Sequence, residues 1–280
     1  MDQRSHCNVR SREFVVLIVI VIKYGGHALP IVSERDEMLE VIADHHLAGK
    51  QVVVVHGGGP QIDSELALHG IAKNMVSGYR FTSPEVFEVV QQVLSGRVLR
   101  TLVNQLNGLG ASSVGITAAD GKTIVAKRMF PIVDGKAVDI GLVGDIEHVD
   151  PALLQILLDQ KYLPVVSPVA ADLGGHGLNL NADLAAGAIG GALQADEVIF
   201  MTDVAGIYRN WPDPESVIKN ISAQDLTSLQ PTFSDGMIPK VKAALFALAS
   251  GATQVRIIDG RDPKKLQAAL AGEGGTVITK

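Results

Sequence analysis

The chain has 280 residues, and 24 Lys+Arg against 30 Asp+Glu give a formal net charge of −6. Hydrophobic residues make up 47% and charged residues 19%, enough to bury one large domain or two closely joined lobes, which excludes general disorder. The acidic balance excludes a nucleic-acid binder with a broad basic face, but leaves phosphorylated or carboxylated small molecules open as ligands of a locally positive site.

Residues 1–13 read as a loose tail. The single cysteine, Cys7, lies in it, so no internal disulfide forms and a reducing cytoplasm is the simple expectation. Phe14–Ile22 (FVVLIVIVI) follows Arg4, Arg10 and Arg12, the outline of a secretory signal. Its Val/Ile content is that of a buried strand, no small-x-small pattern follows, and it is too short to span a bilayer as a helix. We read Val15–Lys23 as a central parallel strand and expect no membrane span.

Ile31–Leu47 follows as a helix. Gln51–His56 (QVVVVH) is a second apolar strand, suited to a sheet covered on both faces, and Pro60–Leu68 is helical. Ser83 and Pro84 open a long helix as cap and first-turn residue. There Val86, Val89, Val90, Val93 and Leu94 recur at helical spacing towards Leu106, a stripe for a core or a second subunit. Ser113–Thr117 is a strand; Thr123–Val133 and Ala137–Ile140 flank the hairpin signal Asp134-Gly135. Helix 151–160 precedes strand Leu163–Ser167, helix 181–194 precedes strand Glu197–Thr202, and helix Ile238–Ser250 precedes strand Gln254–Ile258. This alternation predicts a three-layer α/β/α sandwich on a mainly parallel sheet. A lobe boundary is expected near Gly174–Gly177, dividing 14–178 from 179–280.

Three glycine-bearing turns lie at predicted strand ends: Lys23-Tyr24-Gly25-Gly26, His56-Gly57-Gly58-Gly59 and Thr202-Asp203-Val204-Ala205-Gly206. Glycines there let main-chain N–H groups approach an anion, beyond the carboxyl ends of a parallel sheet. The standard phosphate motifs do not account for them. Gly115…Gly121-Lys122-Thr123 is one residue too long for a P-loop, and no G-x-G-x-x-G follows a strand. Lys23 ends an apolar strand, Lys240 starts an apolar helix after Ser234-Asp235-Gly236, and Asp183 starts another helix in Asn179-Leu180-Asn181-Ala182-Asp183. Two cations and one carboxylate over glycine turns suit phosphoryl transfer, which needs positioning and charge stabilisation. The residues alone leave a second reading open, with Asp183 a helix cap and Lys240 a surface lysine.

Taken together, VIKYGG (Val21–Gly26), VVHGGGPQI (Val54–Ile62), GYRFTSPEVFEVV (Gly78–Val90), IGLVGD (Ile140–Asp145), NLNAD (Asn179–Asp183), TDVAGIY (Thr202–Tyr208) and DGMIPKV (Asp235–Val241) resemble the N-acetyl-L-glutamate kinases of the amino-acid kinase family. The resemblance covers about residues 15 to 260. It implies the amino-acid kinase fold and transfer of the ATP γ-phosphoryl group to the side-chain carboxylate of N-acetyl-L-glutamate, on the route to arginine. It casts Lys23 and Lys240 as transition-state cations and Asp183 as the carboxylate that holds them. It makes Gly25, Gly26, Gly58 and Gly59 backbone donors around phosphoryl group and acceptor. It gives Arg80 the α-carboxylate of the substrate, and Asn179 and Asn181 further substrate contacts. The nucleotide falls to Asp203, Val204, Ala205, Gly206, Ile207 and Tyr208, with Thr232, Phe233 and Ser234, and Mg²⁺ arrives on the ATP phosphates. Residues 14–178 would bind acetylglutamate and dimerise, and 179–280 would bind ATP. His45, His46 and His56 read as structural.

The chain departs from the family pattern in places. His27 stands where many members carry Asn, residues 1–13 are short and lack the amphipathic pattern expected of the extra helix in arginine-inhibited members, and Asp262–Gly275 lacks their Leu-Leu-Glu pattern. The expectation is a homodimer through the helix beginning near Pro84, without strong arginine inhibition. A kinase for a carrier-protein-blocked aminoadipate or glutamate, and a non-catalytic arginine or partner sensor, are the alternatives.

Overall fold

The computed structural model describes residues 18–25, 36–233 and 237–280. The expected tail, Cys7, Gly26, His27 and Ser234 lie outside them. In chain order come β1 (Val19–Tyr24), α1 (Glu37–Leu47), β2 (Gln51–His56), α2 (Gly59–Leu68), β3 (Met75–Val76), β4 (Tyr79–Arg80) and α3 (Pro84–Gln91). A π-helical segment (Gln92–Val98) joins α3 to α4 (Leu99–Gly108), followed by β5 (Ser113–Thr117), β6 (Ile124–Arg128), β7 (Ile132–Val133), β8 (Lys136–Ala137) and β9 (Gly144–Val149). Then follow α5 (Ala152–Asp159), β10 (Leu163–Ser167), β11 (Val169–Ala171), β12 (Gly177–Asn179), α6 (Ala182–Ala192) and β13 (Glu197–Thr202). The chain closes with β14 (Asn220–Ser222), α7 (Ala223–Leu229), α8 (Ile238–Ser250), β15 (Gln254–Asp259), α9 (Pro263–Leu270) and β16 (Thr276–Thr279).

Eight strands form the central sheet in the order β14-β16-β15-β13-β1-β2-β10-β5. Neighbours run parallel except β15 and β16. Continuous apolar strands demand cover on both faces, and β2 shows it: Val52 and Val54 enter one core, Val53 and Val55 the other. Helices α1, α2, α3, α4 and α9 cover the first face; α5, α6, α7 and α8 cover the second. A four-stranded sheet, β12-β11-β6-β9, also packs on the second face. The expected α/β/α sandwich on a mainly parallel sheet is therefore present. Among the described residues no helix is long and apolar enough to cross a membrane.

Ser83 Oγ accepts from the Val86 N–H at 3.2 Å, which caps α3 as expected. The apolar stripe of this long helix lies in the protein's own core, while Glu88, Gln91, Gln92, Arg97 and Arg100 face outward. The hairpin signal holds, with Asp134 and Gly135 at φ 49° and 76°. The flanking strands are shorter than expected, because Pro131 has no N–H for a ladder. β6 instead pairs antiparallel with β9. Gly174–Gly177 falls at the turn and start of the β11–β12 hairpin.

Candidate active site

Because β13, β1 and β2 are parallel neighbours, their glycine-bearing carboxyl ends emerge side by side. The Gly57 N–H donates to the Tyr24 carbonyl at 2.7 Å and locks two of these turns together. A Cβ on Gly25 would stand 3.1 Å from Lys23 Cε and Nζ and 3.3 Å from the Gly57 nitrogen, so the missing side chain leaves room for the ammonium. On the other turn, Gly58 opens α2 with no side-chain cap. A Cβ there would come within 2.5 Å of Leu94 Cδ2, so a larger residue would displace the Leu94 side chain beneath the π-helical segment. The first N–H groups of such a helix have no acceptor within it and favour an anion.

Asp183 is delivered from the opposite direction. Asn181 Oδ1 accepts the N–H groups of Asp183 (2.8 Å) and Leu184 (3.1 Å) and fixes the start of α6. Asn181 thus positions Asp183. Helices α6 and α8 run in parallel through small residues, with Gly187 against Ala243 and Gly191 against Ser250. Their first turns therefore meet, and Lys240 lies in the first turn of α8. Lys23 Nζ stands 2.9 Å from one Asp183 oxygen and Lys240 Nζ 3.7 Å from the other. Burial alone would raise the Asp183 carboxyl; the adjacent Lys23 and Lys240 outweigh it and hold the group below the usual carboxylate range. The structure brings together the three residues the sequence singled out. Asp183 also heads its helix, but its carboxylate goes to the lysines rather than to the cap.

Arg80, in β4, directs Nη2 to Asp63 of α2, and more distantly to the Gly59 carbonyl at 3.5 Å. Its Nη1 is buried and has no hydrogen-bond partner among the described residues. Asp63 also accepts from Lys73 Nζ at 2.8 Å. Its burial is overcome by hydrogen bonds from Lys73 and Arg80, which lower its pKa. Thr82, fully buried, ties the region together: its hydroxyl donates to the Arg80 carbonyl at 2.9 Å and accepts from Asn179 Nδ2 at 3.4 Å. The sequence reading missed both Asp63 and Thr82. Thr82 lies inside GYRFTSPEVFEVV and Asp63 inside α2, and neither carries a local signal of its distant partners.

At the end of β13, Thr202 Oγ1 accepts from the Val204 N–H at 3.1 Å, and Asp203 and Ala205 are exposed. Gly206 and Ile207 are buried, and the Ile207 N–H donates to Thr276 Oγ1 at 2.8 Å. The Ile207 side chain belongs to the core. Tyr208 stacks edge-on against the exposed Trp211, with centroids 4.8 Å apart. Thr232 ends a 3₁₀ turn and Phe233 packs against the core. Next to Lys23, burial and the Asp36 charge raise the Tyr24 phenol, which donates to Asp36, the cap of α1. His56 is buried with Nδ1 2.7 Å from the Gly57 carbonyl; burial pulls its pKa down to about 4, so it is neutral at pH 7.

The amino acid kinase family matches residues 19–259. An acetylglutamate kinase of Mycobacterium sp. (strain JLS) is 41% identical over 258 residues, covering 92% of this chain and 89% of its own length. Another, of Paenarthrobacter aurescens (strain TC1), is 42% identical over 272 residues, covering 92% and 86%. Among solved structures, the N-acetylglutamate synthase of Neisseria gonorrhoeae, complexed with coenzyme A and N-acetyl-glutamate, has a TM-score of 0.81 at 25% identity. That match covers 94% of this chain and 59% of that one. A family match along most of the sequence, relatives above 40% identity and a shared fold lead to one conclusion: the chain belongs to the amino acid kinase family.

Proposed function

We propose that the protein transfers the γ-phosphoryl group of ATP to the side-chain carboxylate of N-acetyl-L-glutamate, giving an acyl phosphate for arginine biosynthesis. The observation that carries this reading is the Asp183 carboxylate held between Lys23 and Lys240 at the glycine-bearing strand ends. The names of the relatives above 40% identity support the choice of substrate.

A carboxylate is already a nucleophile at neutral pH, so no strong base is required. One of its oxygens attacks the γ-phosphorus, and the bond from that phosphorus to the β,γ-bridging oxygen breaks as ADP leaves. The obstacle is repulsion between two anions, which fixed cations and N–H donors relieve. Lys23, nearly buried, is pinned by Asp183 at 2.9 Å; Lys240, at 3.7 Å and more exposed, is freer to follow the migrating charge. Mg²⁺ would enter on the triphosphate, whose oxygens are the hard ligands it requires, and would supply neutralising charge. Among the described residues no group of three or more His, Cys, Asp or Glu is placed to hold a metal. Arg80, with Nη1 lacking a partner among the described residues, suits the α-carboxylate of the substrate. Asn179, linked to Arg80 through Thr82, suits a neighbouring polar group.

In this reading residues 14–178 carry the acetylglutamate and 179–280 the nucleotide, and the enzyme works in the cytoplasm. It is a homodimer through the outward face of the long helix from Pro84, without strong arginine inhibition. Trapping the product as a hydroxamate tests the activity. Acetylglutamate with ATP should give product; glutamate, carbamate and a carrier-linked aminoadipate should not. Product only from one of the latter would replace the reading.

A further inference from the structure

Among the described residues, strands β3 and β4 pair only with each other, so this short hairpin is not held there by a larger sheet. It turns at Ser77 and Gly78, both at positive φ. Lys73 lies just before β3 and Arg80 ends β4, so the two cations flank the hairpin. Both reach the same acceptor: Asp63 takes Lys73 Nζ on one oxygen and Arg80 Nη2 on the other. Asp63 itself sits on α2, whose Ile62 and Leu66 are in the core. The Arg80 side chain is only 10% exposed, and its Nη1 lacks a partner among the described residues. A buried guanidinium with one nitrogen satisfied and one free is oriented by the group that satisfies it.

We propose that Asp63 is a positioning residue for the substrate: from α2 it clasps both ends of the β3–β4 hairpin and turns Arg80 Nη1 toward the incoming α-carboxylate. This rests on the function proposed above. It does not make Asp63 a catalytic residue, since its carboxylate is taken up by Lys73 and Arg80. A competing possibility has Asp63 merely occupying the place of the substrate carboxylate, and it predicts the opposite sign.

The test is steady-state kinetics with equilibrium binding of acetylglutamate, on wild type, Asp63→Asn, Lys73→Met and the double variant. Asp63→Asn should raise KM and Kd for acetylglutamate about 10- to 100-fold, the range for loss of a charge-assisted hydrogen bond. The kcat and the KM for ATP should stay within about threefold, a split that a general loss of folding would not produce. Lys73→Met should raise the same KM a few-fold, and the double variant should be no worse than Asp63→Asn, because Lys73 acts through Asp63. Asp63→Glu, which keeps the charge, should recover part of the affinity. If Asp63→Asn does not fold, the few-fold effect of Lys73→Met carries the test. An unchanged or lowered KM in Asp63→Asn, with wild type active on acetylglutamate, overturns the inference alone. Wild type inactive on acetylglutamate overturns the proposed function and this inference with it.

Discussion

At Asp183, burial works against the charge and two lysines reverse the outcome. The two lysines are not equivalent, and their substitutions should differ. Lys240 is 21% exposed at the side chain, Lys23 9%. Lys240→Ala should lower kcat by about 10²–10³, the usual cost of one transition-state donor, with little change in the urea midpoint. Lys23→Ala should lower kcat at least as much and also cost about 3 kcal/mol, because it strips the closer partner from a buried carboxylate. Normal turnover in a purified variant would remove that lysine from the chemistry. Arg80→Ala should chiefly raise KM for acetylglutamate by about 10-fold or more, while the KM for ATP stays within about twofold; an unmoved acetylglutamate KM would release Arg80 from the substrate.

Between elements, the α6–α8 contact sets how far Lys240 stands from Asp183. A Cβ at Gly187 would lie 2.8 Å from the Ala243 carbonyl oxygen, so a larger residue must push the helices apart. Gly187→Val should therefore destabilise the fold by about 1–3 kcal/mol and lower kcat more than either KM, as read from urea denaturation and kinetics of the same preparation. Unchanged kcat would show that the helix spacing does not govern the lysine. These elements were legible to different degrees. QVVVVH and EVIFMT announced buried strands, and Ser83-Pro84 announced a helix start, because each signal is local. That Gly187 faces Ala243 was not legible, since it depends on two helices about fifty residues apart choosing each other. Nor was β9: Gly144–Val149 is a half-exposed, polar strand that the apolar pattern does not reveal. The π-helical segment did leave a trace. Buried pairs Val89-Val90, Val93-Leu94, Val98-Leu99 and Leu102-Val103 step by four, then five, then four, and the five-residue step is where the helix widens over Gly58. In the site, Lys23, Asp183 and Lys240 stood out as charges in apolar settings, whereas Asp63 and Thr82 gain their meaning only from partners far along the chain.

Across the whole molecule, neutral histidines link stability to acidity. His56 is lowered to about 4 from 6.5, chiefly by burial, and His45 and His46 are lowered in the same direction for the same reason. As pH falls below 6.5 the unfolded chain takes up protons that the folded chain refuses. Stability is thus whole above about 6.5 and declines toward pH 4, by about 3 kcal/mol from His56 alone. Asp183 adds to the loss in stronger acid, where the carboxyl of the unfolded chain protonates while the folded one, held lower by Lys23 and Lys240, resists. The urea midpoint should fall between pH 7.5 and 5, and fall less in His56→Gln; parallel declines in the two proteins would acquit His56. The continuous sheet has a related effect. Strands β1 and β13 join its two sides across one ladder, so turns contributed from sequence positions far apart share one sheet edge.

The pairing of Tyr208 with Trp211 also has a practical side. Trp211 is the single tryptophan of the chain, and it stands in water a few residues past the Asp203–Gly206 turn. Ultraviolet excitation at the red edge therefore lights one indole and nothing else, so the protein carries an intrinsic optical label beside the turn proposed to meet the nucleotide, ready for titration without a dye.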